Sequence, residues 1–151
     1  MKIHTFKRTQ FVPTTMQNAW DFFSSPDNLG KITPPSMDFR TTSESYAYMY
    51  AGQIITYTVK PFPFVKVRWV TEITQVENKK YFIDEQRFGP YTFWHHQHHF
   101  VETEGGVQMD DIVHFIIPMG FLGNMLLPLV LKKLNQIFEF RTQKVREFFP
   151  S

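Results

Sequence analysis

The chain has no cysteine in its 151 residues, which excludes disulfides and thiolate metal sites and fits a reducing compartment. Net charge is also scarce. Sixteen Lys and Arg against 14 Asp and Glu leave +2 at pH 7, so the basic field of a nucleic-acid binder is missing, as are the motifs of such proteins. Met1 to Arg8 has no apolar signal core, so export is not expected and a cytoplasmic location is. No unbroken apolar run is long enough to span a bilayer. Ile112 to Leu131 holds no charged residue, but Pro118, Gly120, Gly123, Asn124 and Pro128 interrupt it and its first third alternates like a strand. It reads as a strand end, a loop and a helix start. No transmembrane segment is expected; a transient membrane or protein contact through residues 119–131 stays open, and an interaction protein docking through that stretch is the third functional reading.

What the chain has in quantity is aromatic residues, 17% of the total, with 17 Phe. One domain covering residues 1–151 is expected, large enough to bury roughly two-thirds of its unfolded surface. Bulky flat rings suit either a filled core or a ring-walled cavity, and composition does not separate the two.

Lys2 to Val12 alternates as a first strand. Thr14 with Gln17 has the form of a capping box, and Met16, Ala19, Trp20 and Phe23 follow at helical spacing, with Trp20 and Phe23 expected in the helix core. Ser25-Pro26 restarts the chain with Pro at a first-turn position, and Leu29 with Ile32 give a second small helix, closed by Thr33-Pro34-Pro35. Antiparallel strands are expected from there to Ile117. Met37 to Thr42 is weakly marked and Ser43 to Met49 ambiguous; Gln53 to Lys60, Val65 to Val76 and Tyr81 to Phe88 alternate well, and Pro61-Phe62-Pro63 is a turn or an edge.

The most informative stretch is Phe93-Trp94-His95-His96-Gln97-His98-His99-Phe100. On a strand, Trp94, His96, His98 and Phe100 share one face. Gly105-Gly106 marks a hairpin turn, and centring it near Glu104 and Gly105 pairs Phe100 with Met109, His98 with Asp111, His96 with Val113 and Trp94 with Phe115. A turn at Gly89-Pro90 places Phe82 beside His98, Asp84 beside His96 and Gln86 beside Trp94. A further strand adds Trp69, Thr71 and Ile73 to the face of Phe88, Gln86, Asp84 and Phe82. The expected result is a polar island of Asp84, Gln86, His96, His98 and Asp111 inside an aromatic rim. His95, His99 and His114 point the other way, beside Asp110, toward solvent.

The tail is the clearest helix. Leu127, Leu131, Leu134, Phe138, Arg141, Val145 and Phe148 form one stripe that a curved sheet must cover. Arg141 either snorkels to the rim or reaches Asp84 or Asp111 across the interior. The expected fold class is α+β, a curved antiparallel sheet of about seven strands wrapped around a long C-terminal helix, with two short helices after the first strand.

This order, with Phe82-x-Asp84-x-Gln86-x-x-Gly89-Pro90-Tyr91, Trp94-x-His96-x-His98-x-Phe100, Gly105-Gly106, Asp111 and Pro118, resembles the START-like helix-grip superfamily. Within it, the chain looks like the bacterial SRPBCC group of polyketide cyclase/dehydrase-like proteins. The resemblance implies a mainly apolar cavity between sheet and helix for a lipid, polyketide or isoprenoid-like molecule. It supplies no catalytic residue by position. The glycine-rich loop of the plant allergen members is missing, since Ser43 to Gln53 holds only Gly52.

The island has four readings. It orients a hydrophobic ligand through a few polar groups. It is catalytic, with His96 or His98 as general base and Asp84 or Asp111 setting the tautomer. It is a two-histidine, one-carboxylate metal site. Or it is a satisfied buried network that fixes strand register. The first is expected, with Trp69, Trp94, Phe115, Phe138 and Arg141 completing the ligand contacts and no cofactor or metal; whether turnover occurs is left open.

Overall fold

The structure, a computed structural model, describes every residue except Ser45 and Tyr46, which lie within the ambiguous 43–49 stretch. The elements are β1 (His4–Val12), α1 (Met16–Phe23), β2 (Arg40–Thr41), β3 (Ile54–Phe62), β4 (Val65–Glu77), β5 (Tyr81–Phe88), β6 (Phe93–Thr103), β7 (Gly106–Ile116), α2 (Gly120–Asn124) and α3 (Leu127–Phe148). Two 3-10 helices, Pro26–Ile32 and Pro35–Met37, join α1 to β2. The strands form one antiparallel sheet in the order β1-β7-β6-β5-β4-β3-β2. Expected order and fold class are both found, and α3 lies in the concave face of the curved sheet.

Local chemistry explains the joints. Thr15 caps α1, its hydroxyl accepting from the Asn18 amide at 3.2 Å. The expected cap, Thr14, is one residue too early, because its own amide turns back to the Val12 carbonyl at 2.8 Å. At the β6–β7 turn Gly105 has φ +80°, and a Cβ on Gly106 would sit 2.3 Å from the Val12 carbonyl oxygen. Glycine thus lets β1 close onto the hairpin.

The β6–β7 register is the expected one, with His96 opposite Val113 and His98 opposite Asp111. Phe82 and Asp84 likewise face His98 and His96. The β4–β5 ladder departs from expectation because it slips between Val70 and Thr71 and again between Ile73 and Gln75. A one-residue slip reverses which face a side chain takes and bends the strand. Phe88 therefore pairs with Val70 rather than Trp69 and is 64% exposed, outside the inner wall.

Two apolar clusters fill the concave side. One joins Trp20 of α1 to Phe82, Phe100, Met109 and Val145; the other joins Phe6, Trp94, Phe115, Leu134 and Phe138. Each fully buried side chain of this size contributes about 1.5–3 kcal/mol. Stripe residues Leu134, Phe138, Arg141 and Val145 are buried as the helical spacing demands, Leu127 and Leu131 are partly so, and Phe148, on the last turn, is exposed, because the covering sheet does not reach the helix end. The polar island lies between the two clusters.

Candidate functional site

The island is built by alternation. His96 and His98 stand two residues apart on β6, Asp84 comes from β5 and Asp111 from β7. Phe82 stacks on His98 with centroids 4.0 Å apart, and Trp94 and Phe138 approach His96 at 6.2 and 5.9 Å. Both imidazoles are buried, as is Asp111, while Asp84 is partly so.

Bonding runs mainly across diagonals. His96 Nε2 is 2.8 Å from Asp111 Oδ1, and His98 Nδ1 reaches the same oxygen at 3.0 Å. His98 Nε2 is 2.7 Å from Asp84 Oδ2, whereas His96 Nδ1 stops 3.6 Å from that atom. An ionised carboxylate only accepts, so the imidazole nitrogens donate.

Electrostatics separate the two histidines. Burial lowers both, but contacts to Asp111 and Asp84 outweigh it at His98 and raise its pKa above the ordinary value. At His96, burial and the adjacent His98 charge prevail over the carboxylates, and its pKa is lowered. Burial pushes both carboxyls up, yet the imidazoles hold Asp111 and Asp84 below the usual carboxylate range, with Arg141 helping at Asp84. His98 is therefore the readier of the two to carry the positive charge. The bond from His96 to Asp111 uses Nε2, so in its neutral form His96 keeps its lone pair on Nδ1.

Beside the island, the sheet, α3, the Pro26–Ile32 helix and the end of α1 line a partly open hollow of about 180 Å³. Of the expected ligand contacts, Trp69, Trp94 and Phe138 line it with rings, and Asp84, His96, His98 and Arg141 with polar groups. Three do not line it. Asp111 sits behind the imidazoles. Phe115 is fully buried against Tyr91 and Trp94. The Gln86 amide donates to the Tyr91 carbonyl at 2.6 Å and accepts from the Tyr91 amide at 3.1 Å, clamping the β5–β6 turn, so Gln86 belongs to that turn and not to the island. A Cβ on Gly89 would lie 2.4 Å from Gln86 Oε1, which is why glycine follows there.

Arg141 does not snorkel. Its place between Phe138 and Val145 faces the sheet, so the side chain is buried at 9% exposure with its guanidinium carbon 4.7 Å from the Phe138 centroid. It makes no ion pair within 4.0 Å among the described residues.

The hollow also takes residues that sequence reasoning left out. Ile55, Tyr57 and Val59 line it from β3, and Phe23 from α1, where only core packing was expected. The Tyr57 hydroxyl meets Thr71 Oγ1 at 3.2 Å, and burial raises its pKa well beyond the ordinary phenol value. The alternation of Ile55, Tyr57 and Val59 was the available signal; the facing helix was needed to show that it borders a space.

Asp84, His96 and His98 each offer a ligand atom within 4.8 Å of the others, the donor set of a two-histidine, one-carboxylate metal site. A cation there would have to displace the His98 proton that both carboxylates hold. It would also share the hollow with Arg141.

On the outer face, His99 Nε2 bonds Gln97 Oε1 at 2.9 Å, and His95 and His114 are half-buried. Around α2 and the start of α3, Met119, Phe121, Leu122, Met125, Leu126 and Leu129 are exposed. No helix among the described residues is long and apolar enough to cross a membrane.

A curved seven-stranded antiparallel sheet around a long C-terminal helix, with a hollow between them, defines the START-like helix-grip fold. No family model matches the sequence, and no curated protein does. Solved structures share the fold. TTHA0849 of Thermus thermophilus superposes with a TM-score of 0.73 at 12% identity, over 95% of each chain. A START superfamily protein of Mycobacterium smegmatis gives 0.69 at 9%, over 97% of each. Norcoclaurine synthase of Thalictrum, a point mutant solved with a transition-state analogue, gives 0.68 at 15%, over 97% of this chain and 96% of that one.

Proposed function

We propose that the protein binds a small hydrophobic molecule in the hollow between sheet and α3, with the island at its polar wall. The observation that carries this reading is the hollow itself: about 180 Å³ walled by Trp69, Trp94, Phe138 and Tyr57, with placed polar groups on one side. An apolar cavity of about 150 Å³ takes up benzene, so a ligand of one or two rings fits better here than an extended lipid chain. Native mass spectrometry of the purified protein tests this. A bound apolar molecule, or uptake of added naphthalene, is expected in the wild type and in His96→Gln. No uptake by either overturns the reading.

The geometry at His96 favours a second reading, in which the site is an enzyme of the cyclase or dehydratase type. His96 lines the hollow and its Nε2 is taken by Asp111, so Nδ1 is the nitrogen left to act as a general base. Such a base would abstract a proton beside a carbonyl. The fold neighbour norcoclaurine synthase, solved with a transition-state analogue, supports enzymatic use of the scaffold. Hydrogen–deuterium exchange at the α-carbons of phenylacetone, followed by NMR, is the test. Exchange above background that His96→Gln abolishes, with phenylacetone affinity retained, supports catalysis; background rates for the wild type exclude it for this probe.

A further inference from the structure

The wall of the hollow opposite β6 carries a charge to which the described residues offer no ion-pairing oxygen. Arg141 is nine-tenths buried, rests on the Phe138 ring and has no carboxylate within 4.0 Å among the described residues, and its Nε has no hydrogen-bond partner. Trp69, which lines the same hollow, has a buried indole Nε1 that is also unpartnered. Buried donors left unmatched cost about 1–3 kcal/mol each, more for a charged group. Four buried side-chain nitrogens among the described residues lack a partner, on Arg8, Gln53, Trp69 and Arg141, and the last two belong to residues that line this one cavity.

Nearby acceptors are committed elsewhere. Asp84 and Asp111 are held by His98 and His96, the Tyr57 hydroxyl by Thr71, and Arg141 touches Asp84 only through its longer-range field. A cation that keeps its five donors in a fixed fork is suited to a planar two-oxygen anion. The body of that anion must be apolar, since rings and aliphatic side chains make up most of the remaining wall.

We propose that the ligand is a small ring-bearing carboxylate, its carboxylate on Arg141 with the Trp69 indole N–H as a further donor, and its apolar body in the hollow. The inference rests on the binding reading above and adds the ligand's chemical class. Arg141 and Trp69 are its anchors, and selection between acid and neutral analogue is what they confer.

The test uses isothermal calorimetry with three probe types. These are benzoate and 2-naphthoate, the matching amides, and the hydrocarbons toluene and naphthalene. Wild-type protein is expected to bind each carboxylate at least tenfold more tightly than its amide. Arg141→Met keeps an apolar stem of similar length, and it should bring that ratio close to one while leaving hydrocarbon uptake intact, which also shows that the variant is folded. Trp69→Phe removes the N–H and keeps an aromatic ring; it should weaken carboxylates severalfold more than hydrocarbons. Equal affinity for acid and amide in the wild type, or a preference that survives Arg141→Met, overturns the proposal. Hydrocarbon uptake in that case preserves the pocket reading. Failure of all six probes overturns both.

Discussion

The rings of His96 and His98 lie with centroids 3.7 Å apart, tilted by 35°, and both reach one oxygen of Asp111. Two imidazolium charges at that distance repel strongly, so the pair carries one positive charge more readily than two. The second carboxylate decides which ring carries it. Asp84 is 2.7 Å from His98 and 3.6 Å from His96, and the charge settles on His98.

This asymmetry predicts how stability varies with pH. His98 has a folded pKa above its unfolded 6.5, so its contribution is complete below 6.5 and is lost as pH rises through the folded value. His96 is depressed, so its contribution is present above 6.5 and is lost as pH falls through its folded value. Asp84 and Asp111 add an acid loss below their unfolded 3.8. Urea midpoints should therefore peak near pH 6.5 and decline on both sides, and NMR should show the His98 ring titrating above the His96 ring. Two rings titrating together at 6.5 would refute the assignment.

Breaking the network on one side should cost more than removing both partners. Asp111→Leu leaves the His98 charge buried beside one carboxylate rather than two, a loss of about 3–5 kcal/mol. Asp111→Leu combined with His98→Leu should recover most of that, with a coupling of about 1–3 kcal/mol in a double-mutant cycle from urea unfolding. The double variant should also lose ligand uptake, because a site kept for function trades stability for it. Additive losses with uptake intact would show that the island is structural.

Filling the hollow should separate stability from binding. Val59 is buried at 4% exposure and lines the cavity from β3. Val59→Phe adds a ring to that space, so naphthalene uptake should fall at least tenfold while the melting temperature stays level or rises. Lower stability with unchanged uptake would mean that the ring had displaced core side chains instead.

Much of the site was legible in the chain. Alternation assigned Trp94, His96, His98 and Phe100 to one face, and a turn pinned by Gly105 and Gly106 set the partner strand to the residue, so His98 opposite Asp111 followed from counting. Counting failed at β4, where two register slips leave no mark in the alternation and send Phe88 outward. Gln86 was misplaced for a related reason: inward spacing could not reveal that the Tyr91 backbone, five residues on, would claim its amide.

The sequence by itself determined the elements, their order, the inner face of β5 to β7 and the presence there of two acids and two imidazoles. Periodicity and turn chemistry are local properties, carried by neighbouring residues. Only the tertiary structure decided which nitrogen meets which oxygen, that Arg141 stays inside without a carboxylate partner among the described residues, and that a hollow remains between Trp69 and Phe138. Those outcomes depend on how closely the helix approaches a bent sheet, a distance set by the packing of residues far apart in the chain.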